Sequence, residues 1–240
     1  MSSLIEAYAT EMNEHLRTTP RRLFNVDDYY KMAEIGVLRP EEHVELLAGE
    51  IFDKFPGVLR LFTTNEYEKM AEAGILDEDE RVELIAGRIL QMSPKGLGHA
   101  VASDRANRCL LTRLGGRAIV RNQNPIRLDD ASEPEPDLVL AEPHEKEYAD
   151  HHPTAAEVLL VLEVADSSLA YDRNAKSTLY SRAGIPQFLI LNLKAREIED
   201  YRDPEPDGYR TKETYRSDEN FALLAFPDVS ISVAELLPPA

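Results

Sequence analysis

The chain has 240 residues, of which 43% are apolar, 30% charged and 7% aromatic, a globular composition with room for one full domain or two small ones. One cysteine, Cys109, excludes a disulfide framework and a thiolate zinc site, and no apolar run is long enough to span a membrane. The formal charge of -17 repels polyanions as a whole, and the N-terminus lacks the basic-then-apolar layout of a signal peptide, so a cytoplasmic protein is expected.

Residues 1–20 are polar and read as a frayed helix. A repeat follows: Arg22–Pro56 aligns without gaps on Arg60–Pro94, with 18 of 35 positions identical by direct comparison. Each copy reads as a helix capped by Asn25 or Thr63 and stopped at Gly36 or Gly74, then a β-hairpin turning at Ala48-Gly49 or Ala86-Gly87. Two copies are too few for a solenoid. The second runs directly into the rest of the chain and reads as the native module, the first as an added pad or an oligomer contact.

Gly98–Leu114 carries apolar or small residues at spacings of three and four and is expected to be an amphipathic helix, ended by Gly115-Gly116. Around it lies a basic island. Residues 95–127 hold 7 Lys/Arg against 1 acid, whereas 1–94 hold 10 against 19 and 128–240 hold 10 against 24. Arg105, Arg108, Arg113, Arg117 and Arg121 could thus meet backbone phosphates despite the net charge.

Arg117–Leu128 reads as a strand interrupted at Pro125, and Pro136–Leu140 as a short strand; 142–157 is a loop. Val158–Val164 (VLLVLEV) has the near-continuous apolar pattern of a strand covered on both faces. A helix is expected over Asp172–Ala183, a buried strand over Phe188–Leu193, a hairpin from Arg196–Tyr201 to Tyr209–Tyr215, and a last strand at Val229–Val233. The fold class is α/β, one mixed sheet flanked by helices.

Chemistry concentrates at Glu163, an acid inside an apolar strand where an unpaired charge is costly. Asp137 opens the preceding strand. Two acids at one edge of neighbouring strands supply the hard oxygen donors Mg²⁺ prefers, with Mn²⁺ as a substitute. Lys176, on the helix that follows, can reach the same cleft. No nucleophile elbow, Walker loop or His-Glu-x-x-His helix is present. His151-His152 reads as solvent-exposed, and Tyr180 as a packing aromatic.

Pro136-Asp137, Glu163 and Lys176 together resemble the PD-(D/E)XK nuclease superfamily. Over residues 60–238 the chain resembles the "Uma" family of restriction-endonuclease-like proteins, through FTTNEYEKMAEAGILDEDERVELIAGRILQMSP, the His99 helix, QNPIRLDDASEPEPDLVL, VLLVLEVADSSLAYDRNAKSTLYSRAGIP and FPDVSISVAELL. The resemblance implies a restriction-endonuclease-like core and Mg²⁺-dependent phosphodiester hydrolysis, with Asp137 and Glu163 as metal ligands and His99, Glu83 and Gln123 as accessory residues; Tyr180 is shared with the family as well. One departure stands out: the superfamily lysine two residues after the acid is Ala165 here, so Lys176 would have to replace it. The resulting division is a tail over 1–20, an extra module over 21–58 and a nuclease-like domain over 59–240. Two functions compete: a DNA endonuclease, expected as a homodimer with residues 21–58 packed on the equivalent face of a second chain, and an inactive relic serving as a binding or assembly module.

Overall fold

The computed structural model describes residues 19–239, so residues 1–18 of the expected N-terminal helix lie outside the described residues. The chain forms two compact units, one of residues up to Ser93 with Asp129–Pro134, the other of Pro94–Leu128 with Glu135–Ala240.

In the first unit the repeat is visible residue for residue. Helices α1 (Val26–Glu34) and α2 (Thr64–Glu72) start at Asn25 and Thr63, each closed by a reciprocal capping box with Asp28 or Glu66. Hairpins β1 (Val44–Leu47) with β2 (Glu50–Asp53), and β3 (Val82–Ile85) with β4 (Arg88–Gln91), follow. Their turns put both central residues at positive φ, 50° and 85° at Ala48-Gly49, 48° and 75° at Ala86-Gly87. That is the primed turn matching the twist of two paired strands.

The copies interlock as a closed pair. Arg22 reaches Asp28 of its own copy (2.6 Å), and Glu80 (3.0 Å) and the Ile75 carbonyl (2.8 Å) of the other. Arg60 does the same in reverse, reaching Glu66 (2.7 Å) of its own copy, and Glu42 (3.2 Å) and the Val37 carbonyl (2.9 Å) of the first. Phe24 and Phe62 meet with ring centroids 5.7 Å apart. Met32, Val37 and Ile51 of one copy share a core with Met70, Ile75 and Leu84 of the other. Residues 21–58 pack on the second copy within the same chain. Separate bodies over 21–58 and 59–93 would expose that shared apolar core, and the observed unit holds both.

The loop 129–134 completes this unit on the side of the second copy. Ala131 accepts from the Gly87 N–H at 2.7 Å, Asp130 from the Thr64 N–H at 2.8 Å, and Glu133 pairs with Leu84.

The second unit begins with α3 (Leu97–Leu114), stopped by Gly115 at φ 55°. Strands β5 (Ile119–Asn122), β6 (Leu138–Ala141), β7 (Val158–Ala165), β8 (Gln187–Asn192), β9 (Glu197–Glu205) and β10 (Gly208–Arg216) form, among the described residues, a six-stranded sheet in the order β10-β9-β8-β7-β6-β5. All neighbours are antiparallel except β7 and β8. A parallel pair needs a crossover, and the helical stretch of α4 (Leu169–Tyr171), a π-helical turn (Asp172–Lys176) and α5 (Ser177–Arg182) provides it. A small pair, β11 (Asn220–Ala222) and β12 (Ser230–Ser232), precedes α6 (Val233–Leu236).

Side chains of β7 alternate across the sheet. Leu160, Leu162 and Val164 join a core with Ala106, Leu110 and Leu114 of α3 and with Ile231 and Leu236, each large side chain contributing about 1.5–3 kcal/mol on burial. Val161 and Glu163 take the opposite face.

Three expected boundaries shift. The strand over Arg117–Leu128 shortens to Ile119–Asn122, because Gln123 turns to φ 52° ahead of Pro125. The β9–β10 hairpin is longer than expected and includes Pro204, which lies past Arg202, where pairing with β8 ends, so its missing N–H leaves no ladder bond unmade. The helix expected over Asp172–Ala183 starts at Leu169 and widens at Asp172–Lys176. There the Asn174 side-chain amide donates to the Ala170 carbonyl at 2.6 Å, occupying an acceptor that an α-turn would give to a backbone N–H.

Candidate active site

The β6–β7 register pairs Leu138 with Leu162 and Val139 with Val161; continued by one residue, it sets Asp137 opposite Glu163. Both are 4% exposed. The Asp137 N–H lies 3.4 Å from Glu163 Oε2, and the Val164 N–H donates to Asp137 Oδ2 at 2.9 Å. The two acids are thus tied to the backbone of neighbouring strands, which fixes their spacing.

Two lysines, a histidine and a tyrosine surround them. His99 Nε2, at the start of α3, lies 2.8 Å from Asp137 Oδ1, and Lys95 Nζ lies 3.0 Å from the same oxygen. Lys176 Nζ and the Tyr180 hydroxyl each donate to Glu163 Oε1 at 2.8 Å. Asp172, also buried, accepts from the Ser168 hydroxyl at 2.6 Å.

The two carboxyls are driven apart electrostatically. Burial pushes Asp137 up, but the His99 hydrogen bond and charge, the Lys95 charge and the Val164 N–H outweigh it and hold the group below the usual carboxylate range. Burial pushes Glu163 up, and the charges of Asp137 and Asp172 add to that; Lys176 pulls the other way without reversing it. Burial first, and then the charge of each acid on the other, works against ionising both, and a hard divalent cation between them would relieve that repulsion. Two carboxylates on adjacent strands therefore fit such an ion.

Asp137, Glu163, Lys176 and His99 come together here. Two further members are Lys95, read in the sequence only as part of the basic island, and Tyr180, read as a packing aromatic and as a residue the family shares. Tyr180 carried a usable signal, following Lys176 by four residues, the spacing that puts side chains on one helix face; Lys95 lies just before the cap of α3 and carried none. Tyr180 is fully buried and also meets Phe188, ring centroids 5.0 Å apart.

The remaining expected residues stand elsewhere in their units. Gln123 is exposed, and its backbone N–H donates to the Asp137 carbonyl at 3.1 Å. Glu83 belongs to the first unit, on β3 opposite Leu90; it is buried there, whereas its counterpart Glu45 is half-buried. Arg105, Arg108 and Arg113 line an open hollow with Cys109, Thr112 and Glu235, which includes neither Asp137 nor Glu163. Arg113 is paired with Glu235 at 2.7 Å and Arg117 with Asp228 at 2.9 Å, while Arg121 lies 5.9 Å from the Tyr148 ring centroid.

The family profile "Uma2: Putative restriction endonuclease" matches residues 64–234. The chain belongs to the Uma2 family. The match begins in the second copy of the repeat and leaves the first outside it. A crystal structure from Anabaena variabilis ATCC 29413, described as "a putative nuclease belonging to DUF820", is similar at 14% sequence identity with a TM-score of 0.58, covering 73% of this chain and 97% of that one. The likeness bears on the fold alone. Among curated proteins, none matches the chain. No helix among the described residues is long and apolar enough to cross a membrane.

Proposed function

We propose that this Uma2 protein is a metal-dependent endonuclease hydrolysing phosphodiester bonds in DNA. The observation that carries the reading is the meeting of Asp137, Glu163 and Lys176: two acids on neighbouring strands with an ammonium 2.8 Å from one of them. Asp137 and Glu163 would hold Mg²⁺, with Mn²⁺ as a substitute; bound there, the ion would neutralise charge on the phosphate and lower the cost of generating hydroxide from water. Lys176 opposes negative charge building on the phosphoryl oxygens as the P–O bond to the leaving sugar breaks. It enters from the helix, in place of the motif position occupied by Ala165. Tyr180 keeps Glu163 turned toward Lys176, and His99 and Lys95 hold Asp137 ionised. Arg108, exposed on α3, would meet backbone phosphates. Cutting both strands would call for two chains.

The test is a cleavage assay on single- and double-stranded DNA and on RNA, with Mg²⁺, Mn²⁺ or EDTA. Asp137→Asn and Glu163→Gln should each reduce cutting by about three orders of magnitude or more while circular dichroism shows a folded chain at the assay temperature. Cutting at the wild-type rate by either variant would overturn the metal assignment.

A second reading, an inactive nuclease fold used for binding or assembly, is favoured by one observation: Lys95, His99 and Lys176 already compensate both acids without any ion. Calorimetric titration with Mg²⁺ or Mn²⁺ separates the two. Saturable heat that disappears in Asp137→Asn supports the enzyme, and no binding at millimolar metal supports the relic.

A further inference from the structure

The loop between β6 and β7 gathers the side chains of His144, His151 and Glu157, with one ring nitrogen of each histidine and one carboxylate oxygen all within 4.8 Å of one another. We propose that these three residues form a binding site for a divalent transition metal of the zinc type, separate in its chemistry from the carboxylate pair of the candidate active site.

Each ligand is oriented before any ion arrives. Glu157 sits at the end of a short 3₁₀ turn (Ala155–Glu157), and its Oε2 accepts from the Thr154 N–H at 2.8 Å and the Thr154 hydroxyl at 2.6 Å. That leaves Oε1 turned to His151 Nε2, 3.4 Å away. Two ligands each about 2.0–2.1 Å from a tetrahedral Zn²⁺ stand about 3.3 Å apart, so this separation suits a shared ion as well as it suits a weak hydrogen bond. The other nitrogen of His151, Nδ1, lies 2.9 Å from Asp150 Oδ1, and Asp150 is held by Lys146 Nζ at 2.7 Å. A carboxylate behind a ligating histidine is the arrangement that fixes the ring and raises its basicity toward a metal.

His144 is fixed from two sides. The Lys146 N–H lies 3.3 Å from its Nδ1, and its ring stacks on Tyr148 with centroids 4.9 Å apart. Tyr148 is 7% exposed, its hydroxyl donates to the Glu142 carbonyl at 3.0 Å, and its ring edge meets His151 at 5.4 Å. One buried aromatic thus positions both imidazoles. Two imidazoles and one carboxylate select a borderline cation such as Zn²⁺ over Mg²⁺, which prefers oxygen alone. Three protein ligands leave a fourth position for water, and the ion would pin both ends of a 16-residue loop to each other.

The experiment uses the full-length, untagged chain carrying Asp137→Asn, so that the carboxylate centre is disabled, titrated with Zn²⁺ alone by calorimetry and with Co²⁺ alone by visible absorption. One equivalent of Zn²⁺ and the d–d bands of a four- or five-coordinate Co²⁺ are expected. His144→Ala and His151→Ala should each weaken Zn²⁺ binding at least about tenfold, with a smaller loss in Asp150→Asn, while His152→Ala, a neighbour outside the cluster, should bind as the parent does. Absence of saturable Zn²⁺ binding, or binding unchanged in the His144→Ala/His151→Ala double variant, would overturn the site.

Discussion

Glu163 is the residue whose surroundings say most about this protein. An acid 4% exposed on an apolar strand is tolerated because Lys176 and Tyr180 donate to the same oxygen, although burial still pushes its pKa up. Removing one partner of a buried pair leaves an uncompensated charge, at a cost of about 3–5 kcal/mol. Lys176→Met should therefore be strongly destabilised at alkaline pH. The sign follows from the proton balance: the folded pKa of Glu163 already lies above its unfolded value, and loss of the ammonium raises it further. A group of that kind favours the folded state most below its unfolded pKa of about 4.3, and that contribution is lost as pH rises through the folded pKa. Urea unfolding should show a large deficit near about pH 9 that shrinks toward about pH 5; a deficit independent of pH would mean that lost packing, not charge, was responsible. Asp137 works oppositely. Its folded pKa is lowered, so its contribution is present above its unfolded value and is lost as pH falls through the folded one.

Among the elements, the crossover between β7 and β8 shows where legibility stopped. A helix after the Glu163 strand follows from its apolar spacing and from Gly184 and Pro186. The π-helical turn at Asp172–Lys176 does not, because it arises from one side-chain amide, Asn174, taking the Ala170 carbonyl, a local competition that periodicity cannot register. Deleting Asn174 removes the extra residue and restores an α-turn, which rotates Tyr180 and the rest of α5 by about 100° relative to α4. The variant should keep its helix content by circular dichroism while cleavage falls at least about tenfold. Unchanged cleavage would show that the widened turn has no part in aiming Lys176 and Tyr180. The duplicated modules were fully legible as elements, since capping residues, stop glycines and turn dipeptides recur at a constant offset, and each signal is local.

On the scale of the molecule, those duplicated modules close on each other. Arg22 and Arg60 exchange equivalent contacts, and one apolar core runs through both copies. A chain lacking residues 21–58 would expose Phe62, Met70 and Ile89, which are buried in that core, an apolar face of the kind that drives association. Light scattering of the deletion variant should show a mass rising with concentration to a dimer or beyond. A monomer with an unchanged melting temperature would show that the first copy contributes nothing to the unit. The pI of about 4.8 sets a second constraint at this scale: two of the five arginines read as phosphate contacts, Arg113 and Arg117, are neutralised by Glu235 and Asp228. A pair formed between residues more than a hundred positions apart is invisible to a local count of charge.

By itself the amino-acid sequence determined the repeat, the caps and turns, the mixed α/β class, the family resemblance and the acids worth watching, because each rests on short-range spacing or on residue types in order. Only the tertiary structure decided that the repeat is satisfied within one chain, that Lys95 and Tyr180 join Asp137 and Glu163, and that His144, His151 and Glu157 face one another. The first two rest on long-range encounters, governed by strand register and by which apolar surfaces find each other; the third rests on the path of one loop, which residue spacing alone does not fix.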